Sequence, residues 1–550
     1  MPPRIVLCTL NARYVHASLG LRYLLANMGA LRSETALREF TIARATPDMA
    51  HELLDLLGKA DEGRAQVIGF GVYIWNVTQT CALVRLLRDL RPALKIVLGG
   101  PEVSHELGSQ PIVALADHVI TGWGDVSFPR LCQALLQGPQ PLMKVIAGEQ
   151  PALADIALPY GEYTDQDLAH RVVYVEASRG CPFKCAFCLS ALDKTAWAFD
   201  LPRFLAALET LYRRGARNFK FVDRTFNLKI DTAAQILQFF LDRLPGTGAP
   251  AGAPGLSVHF ELIPDHLPER LKQCIALFPV GVLQFEVGIQ TFDVEVQRRI
   301  ARVQDNPRTE ANLRWLVESS RAHVHADLIF GLPGESLAGF GRGFDRLLAL
   351  GPHEIQLGLL KRLRGTPLAV QDAGGLVFDP QPPYTVHSTG EVSAQEVETF
   401  ARLARYWDLI ANSGRFRRTL RLLLQGDSYI PGANASAFER LLHLTDWLWA
   451  RTGATHRLTP EQLVDHLAAF LRTGNPADAG VVEQALLDDY LASGARARPL
   501  ALRARLAPGA TPVRERSKAA LPRQNLHLSA DARAPAGVAA TPVPEGEVLR

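Results

Sequence analysis

Between residues 172 and 366 the chain repeats one pattern six times: an apolar run stops at glycines or charged side chains, and helical stretches separate the runs. The runs are 172–176, 219–222, 257–261, 282–287, 323–329 and 354–360. They end at a cysteine loop, at Asp223, at Glu261, at Glu286 to Gln290, at Asp327 and at Lys361. Strands alternating with helices predict a parallel sheet covered by helices. Six such steps suffice for an open partial barrel, whose chemistry sits at the carboxyl ends of the strands.

The first strand end carries Cys181, Cys185 and Cys188, spaced C-x3-C-x2-C. Thiolates ligate iron–sulfur clusters, which normally take four. Three on one loop would leave one iron of a four-iron cluster open for a non-protein ligand. The alternative is a structural zinc site, which wants four tetrahedral ligands, and no fourth Cys or His lies within the loop. Cys8, Cys81, Cys132 and Cys274 are scattered and read as buried thiols.

Upstream, residues 4–10, 67–73, 96–98 and 118–120 read as strands of a second α/β unit. Their ends carry Asn11 and His16, Tyr73, Trp75 and Asn76, Gly99 and Gly100 with Glu102 and Val103, and Gly122 and Gly124. Glycines there let a backbone approach a large planar or phosphate-bearing ligand. Tight turns alone are the competing reading. No G-x-G-x-x-G occurs, so a conventional nicotinamide site is not supported.

The stretches Tyr73-Ile74-Trp75-Asn76, Leu98 to Ser104, Gly122-Trp123-Gly124-Asp125 and Leu10 to His16 resemble the N-terminal domain of cobalamin-binding radical S-adenosylmethionine (SAM) proteins. The nearest resemblance is to the subgroup with a C-terminal domain of unknown function. The cysteine loop with Phe187 before its last cysteine, Phe221 to Asn227, Glu286 to Thr291, Asp327 to Glu335 and Leu360 to Thr366 match the radical SAM core in order. Two departures stand out. Trp123 and Asp125 replace the usual acids of a G-E-G-E turn, and no D-x-H-x-x-G supplies a histidine to cobalt. His16 is therefore read as a loop hydrogen-bonding residue.

The resemblance implies an α/β chain: a Rossmann-like cobalamin-binding domain (1–140), a linker (141–170), a (β/α)6 partial TIM barrel core (171–370), a helical C-terminal domain (371–500) and a disordered tail (501–550). It implies a [4Fe-4S] cluster on Cys181, Cys185 and Cys188. It implies SAM contacts at Phe187, Asp223, Glu261, Glu286 and Gln290, and cobalamin contacts at the eleven upstream positions named above, Asn11 to Gly124. No residue is assigned a catalytic role, and Arg302, beyond a helix, is expected to pair with a carboxylate. The implied activity is reductive cleavage of SAM to a 5′-deoxyadenosyl radical, with methylation of an unactivated carbon as the leading outcome. Rearrangement or cyclisation without methyl transfer is the alternative, and a non-catalytic cobalamin or redox sensor the reading from another class. A small-molecule or carrier-bound substrate and a reductant such as flavodoxin or ferredoxin would be the partners.

Composition bounds the rest. A net charge of +3 over 550 residues does not suggest a nucleic-acid binder. No apolar run approaches the roughly 18 to 20 residues that span a bilayer, and no signal-peptide pattern precedes Ile5, so a cytoplasmic location is expected. The capping box Ser393 to Glu396 opens a helix. Trp407, Trp447 and Trp449 read as core residues of the C-terminal domain rather than cofactor stackers.

Overall fold

The computed structural model describes residues 2–506 except 60–64, 194, 245–254, 371–374, 426–434, 475–478 and 494–496. The irregular loop expected at 245–255 and most of the tail expected from 501 fall outside the described residues.

The N-terminal sheet is six-stranded and parallel, in the order β2-β1-β3-β4-β5-β6. Its strands are β1 (Ile5–Asn11), β2 (Thr35–Thr41), β3 (Val67–Gly71), β4 (Lys95–Gly99), β5 (His118–Thr121) and β6 (Val145–Ala147). Every residue of β1 is buried, as expected for a central strand covered on both faces. Two strands escape the sequence reading. In β2, Arg38 and Glu39 interrupt the apolar pattern of Thr35–Thr41. β6 is three residues long and half-exposed, and it lies inside the stretch read as linker. That stretch also holds a short helix, Asp165–His170, started by a Thr164–Asp167 capping box.

The second sheet is also six-stranded and parallel, in the order β14-β13-β12-β11-β10-β7. Its members are β7 (Val173–Val175), β10 (Asn218–Phe221), β11 (Ser257–Leu262), β12 (Leu283–Gln290), β13 (His323–Phe330) and β14 (Glu354–Leu359). Between β7 and β10 lies an antiparallel hairpin, β8 (Ser178–Gly180) with β9 (Ala196–Ala198). The alternation along β12 is strict. Leu283, Phe285, Val287 and Ile289 are buried in the helix-covered core, while Gln284, Glu286, Gly288 and Gln290 take the other face. That inner face is polar in the neighbouring strands as well, carrying Lys220, His259, Glu261, His325 and Asp327. Filled barrels place branched aliphatics there; an inner face of charges belongs to a half-barrel that houses something polar.

Two ion-pair groups join the domains. Arg22 and Arg171 converge on Glu39 at 2.9 and 2.6 Å, and Arg22 also meets Asp167 at 2.9 Å. Burial acts to raise the Glu39 pKa, but the two guanidinium groups outweigh it and hold the carboxyl below its ordinary value. On the other side, Arg364 meets Glu102 at 2.9 Å and Glu106 at 2.8 Å, and Arg362 meets Glu106 at 2.8 Å.

The loop after β1 also touches the barrel: His16 and Val172 form a parallel bridge, with the Val172 amide donating to Val15 O at 3.0 Å. Beyond the barrel the described residues form helices Ala394–Ile410, Arg417–Gln425, Ala437–Thr452, Pro460–Gly474 and Ala479–Ser493. Trp407 is buried and donates to Ile355 O at 2.8 Å; Asn412 exchanges two hydrogen bonds with the Ile355 backbone (3.0 and 2.9 Å). Phe400 stacks on Phe330 at 4.1 Å. Residues 501–506, read as the start of the tail, pack onto this domain: Leu502 is buried and the Ala501 amide donates to Asp465 at 2.8 Å. The apolar side chains of this segment, too few to show a period, make that packing.

Two candidate cofactor sites

The cysteine loop is the turn of the β8–β9 hairpin. Gly180 closes β8 with φ +85°, where a Cβ would lie 2.3 Å from Thr195 O, so only glycine lets the hairpin cross itself here. The Ala186 amide donates to Ile300 O at 2.8 Å, tying the loop to the end of helix Val294–Arg299. Cys181, Cys185 and Cys188 line one cavity of about 270 Å³ at the mouth of the half-barrel, together with Phe187, Glu261, Glu286 and Gln290. Among the described residues, no three Cys, His, Asp or Glu side chains converge on a single metal ion. A four-iron cluster takes its cysteines one per iron, so three thiols lining one cavity without meeting at a point suit it. Burial raises the thiol pKa of Cys181 and Cys185, and Arg224 and Arg302 respectively oppose it. Cations beside thiolates favour the deprotonated ligand form.

The acids of this cavity are shifted in opposite directions. Burial would raise the Glu286 pKa, but His259 at 3.0 Å and Lys220 at 3.4 Å overcome it and keep the carboxylate ionised. Burial raises Glu261, with Arg224 at 2.9 Å opposing. Asp327 is also raised by burial, beside His325 at 3.1 Å. Gln290 has φ +68° at a register shift in β12, and its Oε1 is buried without a hydrogen-bond partner. A strained residue with an unspent acceptor, facing a cavity, fits a ligand contact.

Two side chains named from the sequence sit elsewhere than expected around this site. Asp223 does not line the cavity. It is 3% exposed, accepts from the Ala177 amide at 3.0 Å and the Ser178 hydroxyl at 2.6 Å, and burial lifts its pKa to about 7. It braces the start of the hairpin. Among the described residues Arg302 pairs with no carboxylate; it donates to Cys185 Sγ at 3.8 Å, to Gln304 Oε1 at 3.0 Å and to Gly288 O.

A larger cavity of about 700 Å³ opens at the carboxyl ends of β1, β3, β4 and β5. Its volume falls in the roughly 300–1,000 Å³ range of ligand and cofactor sites. Asn11, His16, Tyr73, Trp75, Gly99, Gly100, Gly122 and Gly124 line it. Tyr73 and Trp75 stack at 4.4 Å with rings nearly parallel. Gly100 has φ +108°, and a Cβ there would lie 2.5 Å from Val72 O, so the backbone itself forms that wall. His16 Nδ1 lies 2.7 Å from the Tyr174 hydroxyl, the hydrogen-bonding role read from sequence.

Three further side chains named from the sequence do not line this cavity, each with its polar or apolar group engaged elsewhere. Asn76 is fully buried, accepting from the Tyr73 amide and donating to Thr9, Leu10 and Gly71. Glu102 belongs to the Arg364 and Tyr384 ion-pair group. Val103 is core. The sequence reading missed the far wall, made by Tyr174, Glu176, Arg179 and Val222 of the barrel. The two cavities use successive stretches of the same strand ends: Glu176 and Arg179 before Cys181, and Val222 before Arg224.

Three family profiles match this layout: B12 binding domain over residues 5–132, radical SAM superfamily over 175–345, and a protein of unknown function (DUF4080) over 373–524. The chain combines a B12-binding domain, a radical SAM domain and a DUF4080 domain. It is 24% identical to 2-(S-pantetheinyl)-carbapenam-3-carboxylate methyltransferase of Streptantibioticus cattleyicolor, over 52% of this chain and 45% of that protein. It is 23% identical to the cobalamin-dependent radical SAM methyltransferase TokK of Streptomyces tokunonensis, over 56% of this chain and 49% of that one. The chain thus spans about half the length of these two curated relatives. The solved structure of the cobalamin-dependent SAM radical enzyme OxsB superposes with TM-score 0.57 at 12% identity, over 89% of this chain and 83% of that one. The methyltransferase TsrM of Kitasatospora setae superposes with TM-score 0.51 at 17% identity, over 68% and 79%. At these identities the superpositions speak to the fold of this radical SAM protein.

Proposed function

We propose that this chain is a cobalamin-dependent radical SAM enzyme that methylates an unactivated carbon of a small-molecule or carrier-bound substrate. The shared wall between the two cavities carries the assignment. A three-cysteine cavity and a glycine-and-aromatic cavity back onto each other through Arg179 and Cys181 of one hairpin, the juxtaposition that radical generation beside a methyl carrier needs.

When bound, a [4Fe-4S] cluster with SAM supplies one-electron cleavage of the sulfonium, and cobalamin supplies a transferable methyl group. The chain's own part is to hold, orient and exclude water. Cys181, Cys185 and Cys188 offer three thiolates and leave one iron to SAM. Ionised Glu286 offers two acceptor oxygens to an amino group or ribose hydroxyls, and the Gln290 amide adds an acceptor beside it. The Tyr73–Trp75 stack and the bare backbone at Gly99 and Gly100 offer a flat bed for a macrocycle. His16, held by Tyr174, serves as a wall residue rather than a cobalt ligand. A flavodoxin or ferredoxin would deliver the electron. Among the described residues no helix is long and apolar enough to cross a membrane, and a cytoplasmic location is part of the proposal.

The deciding experiment is anaerobic reconstitution with iron, sulfide, cobalamin, SAM and a reductant. Formation of 5′-deoxyadenosine is expected, slowly even without substrate. Its absence from cluster-loaded protein would overturn the enzyme reading in favour of a sensor. Label from methyl-labelled SAM appearing in product separates methylation from rearrangement or cyclisation.

A further inference from the structure

Trp123 and Asp125 stand where the resemblance has the two acids of a G-E-G-E turn, and both engage the cysteine hairpin. Asp125 is 5% exposed and accepts from both terminal nitrogens of Arg179, at 2.9 and 3.2 Å. Arg179 Nε donates to Glu176 at 2.7 Å. The guanidinium lies over the rings of Tyr23 (4.3 Å), Trp123 (4.9 Å) and Phe199 (5.7 Å). Trp123 also meets Trp197 edge-on at 5.6 Å. Arg179 is on β8, two residues before Cys181, whereas Trp197 is on β9, the returning side of the hairpin. Both legs of the hairpin carrying the cysteines are therefore fastened to one turn. That turn, Gly122 to Asp125, lines the larger cavity with all four of its residues.

We propose that this latch couples the two cofactor sites, so that cobalamin in the larger cavity raises the affinity of the cluster site for SAM. This rests on the proposed function. A ligand against Gly122 and Gly124 restricts a turn that has two glycines and a left-handed residue at Gly122 (φ +72°). The restriction passes to the hairpin because the connection is rigid. Arg179 has a planar fork matched to a carboxylate and is stacked among three rings, a geometry lysine does not reproduce. Part of the ordering that SAM would otherwise have to impose on the cysteine loop is then already imposed. Coupling of this kind is reciprocal, so SAM tightens cobalamin by the same factor. Arg179 and Trp197 are positioning residues in this scheme.

The test uses full-length, cluster-reconstituted protein prepared with and without cobalamin. SAM affinity is read by calorimetry, and the reduced cluster by electron paramagnetic resonance. In the wild type, cobalamin is expected to lower the SAM Kd by about 5- to 150-fold, the usual span of such coupling, and to shift the cluster g values. Arg179→Gln should bring the Kd ratio close to one, and Arg179→Lys should recover part of it. Trp197 lines neither cavity, so if Arg179→Gln fails to hold a cluster, Trp197→Ala reads the same ratio and should reduce it severalfold. Equal SAM affinity with and without cobalamin in the wild type overturns the proposal, as does an unchanged ratio in either Arg179→Gln or Trp197→Ala. Failure of the wild type to retain cobalamin at all would overturn the proposed function and the coupling together. Retention with equal SAM affinities overturns the coupling alone.

Discussion

The two cavities differ in what their walls are made of. The smaller is built from side chains that carry charge or ligate metal: three thiols, Glu261 paired to Arg224, and Glu286 held ionised by His259 and Lys220. The larger is lined mostly by backbone, apolar side chains and rings, with seven glycines among its walls and a Tyr73–Trp75 stack, and meets the paired Asp125, Glu176 and Arg179 on its far side. A charged wall is exacting about chemistry but tolerates small shifts in shape. A backbone wall has little chemistry to lose and no room to give. Substitutions should therefore fail differently in the two places.

The largest effect is expected from Cys185→Ala, which removes a thiolate nothing nearby replaces. Iron–sulfur absorbance should collapse and 5′-deoxyadenosine fall below detection, while cobalamin retention, read by its visible spectrum, stays within about twofold. Gly100→Val breaks the other wall. It forces a β-branched residue to φ +108° with a Cβ on Val72 O, so cobalamin retention should be lost and the fold weakened by at least about 1–3 kcal/mol, seen as a lowered melting temperature. A Gly100→Val protein that keeps its cobalamin would show that the backbone is not the wall.

Glu286→Gln sharpens the contrast from the charged side. Losing charge-assisted bonds should weaken SAM binding by about 1.5–3 kcal/mol, roughly 10- to 150-fold, without affecting cobalamin. Because the folded-state pKa of Glu286 is depressed, its contribution to stability is complete above the unfolded carboxyl value of about 4.3. It is lost only as pH falls through the depressed value, so wild-type stability should show no loss from this group between pH 5 and 8.

Asp223 predicts the opposite slope. Its folded pKa is raised to about 7, so protonation favours the fold, and its stabilising effect fades as pH climbs from about 4 through 7. Asp223→Asn should flatten that decline in a melting-temperature series, with its largest gain over wild type at pH 8. The smallest effect is expected at Glu102→Gln. Arg364 keeps Glu106 and Tyr384, so stability should drop by about 1 kcal/mol and cobalamin retention should barely change. A large loss of cobalamin would return Glu102 to the cofactor.

The sequence carried most of the architecture because strand ends are marked by residues that interrupt apolar runs. What hid β2 was the same rule: Arg38 and Glu39 sit inside the strand, and Glu39 is buried only because Arg22 and Arg171 reach it from elsewhere in the chain. That the cysteines and Glu286 would share one strand-end cavity was legible because each follows or ends an apolar run. The side-chain engagements of Asp223, Asn76 and Glu102 were not, because a polar residue beside a cavity can equally spend its oxygens on a backbone amide or a distant arginine. Which it does depends on residues 45 to 282 positions away. Arg179 was adjacent to the motif all along, but its partner Asp125 lies in another domain.

The half-barrel sheet also has two free borders, β7 and β14, each of which would leave a row of unpaired backbone groups. One is met by the loop after β1 through the His16–Val172 bridge, the other by Asn412 and Trp407 at Ile355. Exposed sheet borders are templates for intermolecular pairing and aggregation. Cut out at residues 171–370, the half-barrel would bare both. The flanking domains thus act as its shutters, and its solubility would depend on keeping them attached.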